Sequence, residues 1–354
     1  MRALVSFCNP RSSPRLAVCA VDLESGARAW LPVPESFEGG AAGITADGDD
    51  RFVACQAGGI VRYGPEMEPI ATLPTPNARN LHSILYLPDE NALLVISAHN
   101  DTLFRFRLSD DRTSVVASEE VYCADPERRG LDRYHINSVA VWRGDIYVTV
   151  FGPASGPTHL HRRHGRALRV SDGETIADDL YHPHSLFVHG ESLLVIESQA
   201  RCVRRIGGGD AVSWSVPGGY PRGIAAGTGT RVWIGTSALR RESSSMGTPN
   251  VITSADPDDF KTRLVELDLA TGEVGRTIDL TLLAAEIFDL NSIPDAWEFR
   301  PSPDGGLRER VEALETTYQT LRSAQLVAQA KAGRGVLARA RESAQRLARR
   351  FARS

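Results

Sequence analysis

The pattern of hydrophobic and polar positions repeats one unit along the chain. An apolar run leads into a turn rich in Asp, Asn, Gly or Pro, and a second apolar run follows. Runs rich in β-branched residues on either side of such a turn are typical of β-hairpins. The sequence predicts hairpins of this kind at residues 43–55, 82–97, 137–150, 184–197 and 222–235.

Further strands follow most of these hairpins. An alternating third strand is predicted at 102–108 and at 263–269, and a fourth at 273–280. The first strands begin between 38 and 55 residues apart. Four antiparallel strands at this period, without helices between them, are typical of the blades of a β-propeller.

The two ends of this region predict how the ring closes. Strands at 4–9, 15–23 and 27–33 make a blade without an innermost strand, and residues 286–293 have the pattern to supply it. Closure removes the free edges that an open sheet would expose. We therefore predict an all-β fold, a six-bladed β-propeller over residues 1–300 closed by N- and C-terminal strands.

A different pattern begins after a Pro- and Gly-rich linker at 301–306. In residues 307–354 the apolar positions are three and four apart, which predicts an amphipathic, coiled-coil-like α-helical tail. Gly333 and Gly335 interrupt the pattern, so the tail is one broken helix or a helical hairpin. Residues 331–354 carry a net charge of +7, although the whole chain has −4, so residues 1–330 carry −11.

This division of charge indicates which classes of binding partner to expect. An acidic propeller is not expected to bind nucleic acid, which selects basic faces. For the basic tail, self-association or docking on the acidic propeller is favoured over contact with a membrane surface. No apolar run approaches the roughly 20 residues that span a bilayer. The first ten residues also lack the pattern of a secretory signal.

The cysteines and glycines exclude other classes of protein. Five scattered cysteines without a C-x-x-C pair predict neither a zinc ribbon nor a redox motif, and they suit a reducing cytoplasm. The glycine triplet at 207–209 follows a strand but precedes no helix, unlike the glycine-rich loops that bind nucleotide phosphates. We therefore expect no nucleotide cofactor. The sequence therefore predicts a cytoplasmic protein.

Propeller geometry turns the repeats into a predicted site. First strands line the central channel, so the residues that open them are expected to meet at one mouth. These residues are polar, and two more histidines lie beside them. The set is His82, Asn137, His184, Arg222, Glu286 and Asp289, with His135 and His182 close by in sequence.

Two kinds of chemistry fit this set. One divalent metal ion, held by His82, His184, Asn137 and Glu286, would polarise a carbonyl or activate a water. Without a metal, His184, His82 and His135 would act as general acids and bases. The planar fork of Arg222 suits a carboxylate or a phosphate. In the alternative interpretation, these side chains only form hydrogen bonds with one another and with channel water.

Two predicted insertions, at 152–164 and 238–259, fall on the same face of the propeller. Long loops within a compact fold are often lids or binding loops. Histidines and arginines in the first insertion predict a solvated basic loop rather than a metal cluster. Both insertions are therefore expected to border the mouth.

The blade openings also resemble a known family. Their phrases are similar to those of an uncharacterised bacterial family of predicted six-bladed propellers, over about residues 1–300. They resemble more distantly the gluconolactonase/regucalcin, strictosidine synthase and streptogramin lyase propellers. The phrases are His82–Leu85, His135–Val141, His182–Leu186, Gly219–Ile224 and Glu286–Leu290.

The resemblance implies a site at the channel mouth, often with one divalent metal held by Glu, Asn, Asp or His. Glu286, Asn137 and the histidines would play these parts here, although the set matches no single subgroup. Arg222, Asn137, His182 and Tyr220 are the predicted substrate-binding residues. We predict an enzyme with hydrolase or lyase chemistry on a small molecule or modified peptide. The alternative is a non-catalytic ligand- or protein-binding propeller whose tail mediates assembly.

Overall fold

The described part of the chain is almost entirely β-structure. The chain divides into two compact units, Met1–Leu307 and Arg308–Ser354. The second unit, with the predicted helical tail, lies outside the described residues. A computed structural model describes residues 1–8, 17–34, 39–153, 164–239, 256–284, 286–293, 297 and 299–301.

Five blades follow one another along the chain, each an antiparallel sheet of four consecutive strands. They come after three N-terminal strands, β1 (Arg2–Phe7), β2 (Val18–Asp22) and β3 (Arg28–Trp30). Blade 1 contains β4 (Ala41–Asp47), β5 (Asp50–Cys55), β6 (Ile60–Tyr63) and β7 (Pro69–Leu73). Blade 2 contains β8 (Leu81–Leu87), β9 (Ala92–Ser97), β10 (Thr102–Leu108) and β11 (Val115–Cys123). Blade 3 contains β12 (Ile136–Trp142), β13 (Asp145–Val150), β14 (Gly165–Arg169) and β15 (Thr175–Leu180). Blade 4 contains β16 (Pro183–His189), β17 (Ser192–Glu197), β18 (Cys202–Gly207) and β19 (Val212–Ser215). Blade 5 contains β20 (Tyr220–Ala226), β21 (Arg231–Ser237), β22 (Arg263–Asp268) and β23 (Val274–Asp279).

A sixth blade joins the two ends of the propeller. Its innermost strand, β24 (Ile287–Ile293), pairs antiparallel with β1, and the strand order is β24-β1-β2-β3. The predicted all-β, six-bladed propeller and its closure by one C-terminal and three N-terminal strands are therefore confirmed. Short 3₁₀ turns at Pro88–Glu90, Ala98–Asn100 and Pro257–Phe260 lie outside the sheets. No helix among the described residues is long and apolar enough to cross a membrane.

The core lies between the blades. Among the described residues the buried apolar side chains form six clusters, and each cluster lies mainly between two neighbouring blades. Phe52 of blade 1, for example, packs in one cluster with Ile84 and Phe106 of blade 2. Both faces of each sheet are thus covered, which explains why the second strands are almost continuously apolar.

Residues beyond β24 fasten the closing blade to blade 1. Trp297 is 1% exposed in the cluster between these blades, and its Nε1 donates to the Asp49 carbonyl at 2.7 Å. The Arg51 guanidinium lies 5.5 Å from the centre of the Trp297 ring. Arg2 Nη1 in turn donates to the Trp297 carbonyl at 3.0 Å.

Each innermost strand carries an irregularity in its pairing near its start. A β-bulge adds local twist and changes the direction of the side chains beside it. Six equivalent positions at this level form what we call the mouth ring. Its members are Ala42, His82, Asn137, His184, Arg222 and Phe288.

The next position on each inner strand forms a second layer, the latch ring. Three serines there accept hydrogen bonds from backbone N–H groups of the next blade, at 3.0 to 3.4 Å. An aspartate of the closing blade likewise accepts a backbone N–H of blade 1 at 2.9 Å. The remaining two positions are glycines whose added Cβ would lie 2.5 to 2.7 Å from the neighbouring backbone. The members are Gly43, Ser83, Ser138, Ser185, Gly223 and Asp289.

Candidate functional site

The mouth ring brings the predicted polar residues together. His82, Asn137, His184 and Arg222 occupy equivalent positions of four consecutive blades. His82, Asn137 and His184 are between 2% and 6% exposed. The predicted convergence of the blade openings is therefore observed. Ala42 and Phe288 complete the ring with apolar side chains.

His82 lies between blades 2 and 3. The Asn137 amide donates to His82 Nδ1 at 3.1 Å, so the neutral imidazole of His82 carries its proton on Nε2. Burial and the charges of His135 and Arg222 hold the pKa of His82 well below its usual range, against the opposing effect of Asp132. The His82 ring therefore presents an N–H donor within the cluster.

His135 differs from His82 because it has a carboxylate partner. Its Nδ1 lies 2.9 Å from Asp132 Oδ1, and its ring centre lies 4.9 Å from that of His82. Burial disfavours the imidazolium, but the charge and hydrogen bond of Asp132 more than offset burial, and the pKa of His135 is raised. His135 is thus the histidine of this pair that takes up a proton more readily.

The protonation site of His184 follows from its partners. Ser198 Oγ donates its one hydrogen to the Pro221 carbonyl at 2.7 Å and lies 2.7 Å from His184 Nδ1. The His182 carbonyl, 3.0 Å from the same nitrogen, can only accept. Nδ1 of His184 must therefore donate, which leaves the lone pair on Nε2.

That lone pair is isolated. His184 Nε2 is buried and has no hydrogen-bond partner among the described residues. Burial, with the charges of Arg222, His182 and His135, holds the pKa of His184 well below its usual value, although the His182 carbonyl opposes this effect. A neutral imidazole with a buried, unpaired acceptor is poised to take a proton or to receive a hydrogen bond.

An aromatic wall joins the histidines. The Phe151 ring stacks on His182 at 4.7 Å and lies 4.6 Å from His135 and 5.2 Å from His184. Tyr220 OH lies 2.9 Å from His182 Nδ1. Sequence reasoning missed Phe151, which directly follows β13 at the level where the mouth was predicted. An aromatic residue at the end of a second strand was the available signal.

Arg222 supplies the positive charge of the cluster. Its guanidinium lies 5.0 Å from the centre of the Tyr220 ring and 5.7 Å from that of Phe288. Arg222 Nη1 donates to Cys8 Sγ at 3.6 Å, and the Cys8 thiol donates to Glu286 Oε2 at 3.5 Å. Burial opposes the charge on Arg222, but Cys8, Tyr220 and Glu286 outweigh burial and raise its pKa. Its Nε is buried without a hydrogen-bond partner among the described residues.

Left-handed backbone positions these side chains. Asp132, His135, His182 and Ser185 all have φ between 45° and 54°. Such angles are uncommon outside glycine, and they often accompany functional sites. Asp132, His135 and His182 lie in the segments before β12 and β16, whose left-handed turns bring His135 and His182 to residues of the mouth ring.

Each of the four predicted metal ligands forms a hydrogen bond within the site, the two histidines through Nδ1. His82 Nδ1 accepts from Asn137, His184 Nδ1 donates to its own neighbours, and Glu286 bonds Cys8. Among the described residues no three His, Cys, Asp or Glu side chains lie in an arrangement that could hold a metal ion. The predicted metal shell of His82, His184, Asn137 and Glu286 therefore stays a prediction.

Asp289 lies one layer below the mouth, in the latch ring. It lines a cavity of about 740 Å³ on the channel axis, whose upper wall includes Asn137, His184 and Phe288. Burial raises the pKa of Asp289 to about 7, although the hydrogen bonds that it accepts from the backbone N–H groups of Ile44 and Leu290 act to lower the pKa. The sequence placed this carboxyl with the mouth residues, whereas its side chain belongs to the channel wall.

Most of the two predicted insertions, residues 154–163 and 240–255, lies outside the described part of the chain. Their expected place beside the mouth stays a prediction. The five cysteines, all within the described residues, form no disulfide bonds. Cys8, Cys19 and Cys55 are buried, and Cys8 contacts Arg222 and Glu286.

The ring of six blades and the polar cluster on its axis define a six-bladed β-propeller with a buried imidazole-rich site. A family model described as a domain of unknown function, DUF4915, matches residues 81–299, and the chain belongs to that family. The resemblance to an uncharacterised propeller family is thereby confirmed. No curated protein matches the chain.

Solved structures share the fold at low sequence identity. A protein of unknown function from Bacteroides caccae is 12% identical, with 83% of this chain and 99% of that chain covered and a TM-score of 0.57. A structure of a nidogen/laminin complex is 11% identical, with 82% of this chain and 97% of that chain covered and a TM-score of 0.56. The periplasmic gluconolactonase PpgL of Pseudomonas aeruginosa is 12% identical, with 83% of this chain and 99% of that chain covered and a TM-score of 0.51. These likenesses establish the propeller, and the last agrees with the predicted resemblance to gluconolactonases.

Proposed function

We propose that the protein is an enzyme that transfers protons to and from a small anionic molecule at the mouth ring. The observation that carries this proposal is a pair of unpaired buried groups in one cluster. His184 Nε2 is an acceptor and Arg222 Nε a donor, and neither has a partner among the described residues. Buried polar groups are normally paired, so this pair favours a ligand that supplies both partners.

The charges of the cluster assign roles. His184, neutral with its lone pair on Nε2, is the proposed general base, and His135, protonated beside Asp132, is the proposed general acid. Neighbouring groups of the same kind whose pKa values are driven apart are a common basis for acid–base catalysis. Arg222 would hold a carboxylate or phosphate of the substrate.

Hydrolysis and elimination both use these roles. In an elimination, His184 takes a proton from the substrate carbon while His135 gives its proton to the leaving group. In a hydrolysis, His184 takes the proton from an attacking water instead. His82, as an N–H donor, and Tyr220 would bind the substrate beside Arg222 together with His182 and Asn137. Enzymes among proteins of similar fold, such as the gluconolactonase, make this class reasonable without identifying the reaction.

Turnover of a defined panel tests the proposal. Purified protein is incubated with small carboxylates that carry an ester, a lactone or a β-leaving group, and products are followed by mass spectrometry. We expect turnover of at least one compound. His184→Gln and His135→Gln should each lower kcat/KM by about 100-fold or more, because each removes a proton-transfer group. His189→Gln is the matched control, since it lies at the other end of the same strand as His184.

The pH profile separates a catalytic role from a structural one. Activity should fall at low pH as His184 becomes protonated and at high pH as His135 loses its proton, and Asp132→Asn should move the alkaline limb to lower pH. Unchanged rates in both histidine variants would exclude these roles. Carboxylate binding that depends on Arg222 without any turnover would instead support the non-catalytic binding propeller.

A further inference from the structure

A cavity lies below the mouth ring, and of the residues in the proposed chemistry only Asn137 and His184, at its upper end, line it. Its volume is about 740 Å³, within the range of small-molecule sites. Its walls continue down the inner strands as far as Leu87 and Pro88 at the end of β8. The exposed Asp89 and Glu90 also line it, so the cavity opens at the end of the propeller opposite the mouth ring.

The upper layers of this cavity are apolar walls with acceptors set in them. Ile44, Ile84 and Leu290 are among the apolar lining residues. Asp289 and Asn291 line the same wall, two positions apart on β24, so their side chains lie on one face roughly 7 Å apart.

The acceptor groups in this wall can accept further hydrogen bonds. Asp289 accepts one backbone hydrogen bond on each oxygen, from Ile44 and from Leu290, and a carboxylate can accept about four. Asn291 Oδ1 is buried without a partner among the described residues. His184, whose Nε2 is likewise unpaired, closes the upper end. A ligand that fills this wall must therefore bring hydrogen-bond donors.

The remaining charges select a cation. The charged or titratable lining residues besides Asp289 and His184 are Tyr86, Asp89, Glu90 and Arg105. Arg105 is paired with Glu90 at 3.3 Å and with Glu119 at 2.7 Å, so the opening carries net negative charge. Such a funnel raises the local concentration of cations.

We infer that the channel is a binding site for a small organic amine, held as its ammonium ion by Asp289 and Asn291 with its carbon chain against the apolar wall. The ammonium donates to the Asp289 carboxylate and to Asn291 Oδ1, and it approaches from the end of the channel that carries Asp89 and Glu90. This site goes beyond the proposed catalysis and does not depend on turnover at the mouth ring.

Binding of matched probes to the full chain tests this inference. Isothermal titration at pH 8 compares n-butylammonium, n-butanol and n-butyrate, which share a similar chain and differ in the polar group. We expect n-butylammonium to bind at least tenfold more tightly than either other probe. Asp289→Asn should weaken ammonium binding at least tenfold, since it removes the charge but keeps an acceptor for Ile44. Asn291→Leu should weaken it as well.

Glu191→Gln is the control, because this carboxylate is exposed and does not line the cavity. Circular dichroism of each variant establishes that the fold is retained. Equal affinities for the ammonium and the alcohol, ammonium binding unchanged in Asp289→Asn, or no binding of any probe would each overturn the inference. None of these results bears on turnover by His135 and His184, so failure here and failure of the proposed function are distinguishable.

Discussion

At the scale of single residues, three histidines of one cluster differ in charge because their nearest neighbours differ. His135 faces the Asp132 carboxylate, whereas His82 meets a neutral amide and His184 a hydroxyl and a carbonyl. Burial acts against the imidazolium in all three, and only His135 has a partner strong enough to reverse it.

Replacing Asp132 tests this assignment directly. In Asp132→Asn the pKa of His135 should fall, because burial is no longer opposed by a negative charge. His135 has a folded-state pKa above its unfolded value, so its stabilising effect is present below about pH 6.5 and is lost as pH rises through the raised pKa. The variant should therefore lose more stability at pH 5.5 than at pH 9.

NMR titration of the imidazole carbon-bound protons and thermal melts at the two pH values measure both effects. An unshifted His135 resonance in the variant would show that Asp132 does not control its charge.

The buried carboxyl of Asp289 predicts a second dependence on pH. Its folded-state pKa, raised to about 7, lies above the unfolded value, so ionisation above neutral pH disfavours the fold. The stabilisation from its neutral form is complete below about pH 4 and is lost as pH rises through 7. Asp289→Asn should remove this loss.

The difference in Tm between Asp289→Asn and the parent protein should therefore be more positive at pH 8.5 than at pH 5. Melts across this range measure it, and Glu191→Gln again controls for loss of an exposed carboxylate. A difference in Tm that does not change with pH would contradict the raised pKa of Asp289.

Sequence reasoning found the histidines of the site but not their partners. His82, His135, His182 and His184 stand at repeated positions, so the repeat alone identifies them. Asp132, Phe151 and Ser198 reach the cluster through left-handed turns and strand ends. Those local geometries depend on packing between blades, which periodicity does not encode.

At the scale of elements, neighbouring inner strands are held together in two different ways. Ser83, Ser138 and Ser185 each accept a backbone N–H of the following blade. Gly43 and Gly223 instead allow the next strand to approach closely. Glycine at the latch ring lets the two backbones approach, and between blades 1 and 2 Thr45, further along β4, also accepts the Tyr86 N–H at 3.0 Å.

Gly43→Ala tests the close contact. The added Cβ would lie 2.5 Å from the His82 carbonyl oxygen and 2.7 Å from the Ile84 nitrogen, both backbone atoms that cannot turn away. We expect a loss of about 1–3 kcal/mol in the free energy of unfolding, measured by urea denaturation. Ala226→Ser adds one atom at the exposed end of β20 and should change stability little. Equal stability of Gly43→Ala and the parent would show that the two strands separate freely.

The strands themselves were largely predictable, whereas the bulges were not. The third strand predicted at 102–108 coincides with β10 (Thr102–Leu108), because alternation with period two is strong there. The irregularity between Leu81 and Ile84 shifts the side chains of β8 at the start of the strand. A bulge follows from twist and contacts with the neighbouring blade, so the sequence His-Ser-Ile-Leu gives no sign of it.

At the scale of the whole molecule, stability of the ring depends on its closing blade. The blade count and the closure by residues 286–293 were predictable, because one blade lacked a strand and the far end had one to spare. Trp297 was not predicted as part of the propeller core. It lies past the last strand, in a segment whose composition already approaches that of the linker.

Trp297→Ala tests this fastening. The side chain is 1% exposed and fills the cluster between the closing blade and blade 1, so its removal leaves a large cavity. We expect a loss of about 3–5 kcal/mol in the free energy of unfolding, read from denaturant titration. Trp214→Ala, on an outer strand where the ring is only partly buried, should cost less. Equal losses would mean that Trp297 has no special part in closing the ring.

Closure of the ring also sets an order in which the protein can be completed as it is synthesised. Ser6 and Asp289, which bond across β1 and β24, are 283 residues apart in the chain. At about 5–20 residues per second, the first strands leave the ribosome roughly fifteen seconds to a minute before their partner exists. During that interval β1 has an unpaired inner edge, the kind of edge that recruits foreign strands. The nascent chain should therefore engage chaperones until β24 emerges, and slowing translation between blade 5 and β24 should increase aggregation more than slowing it between earlier blades.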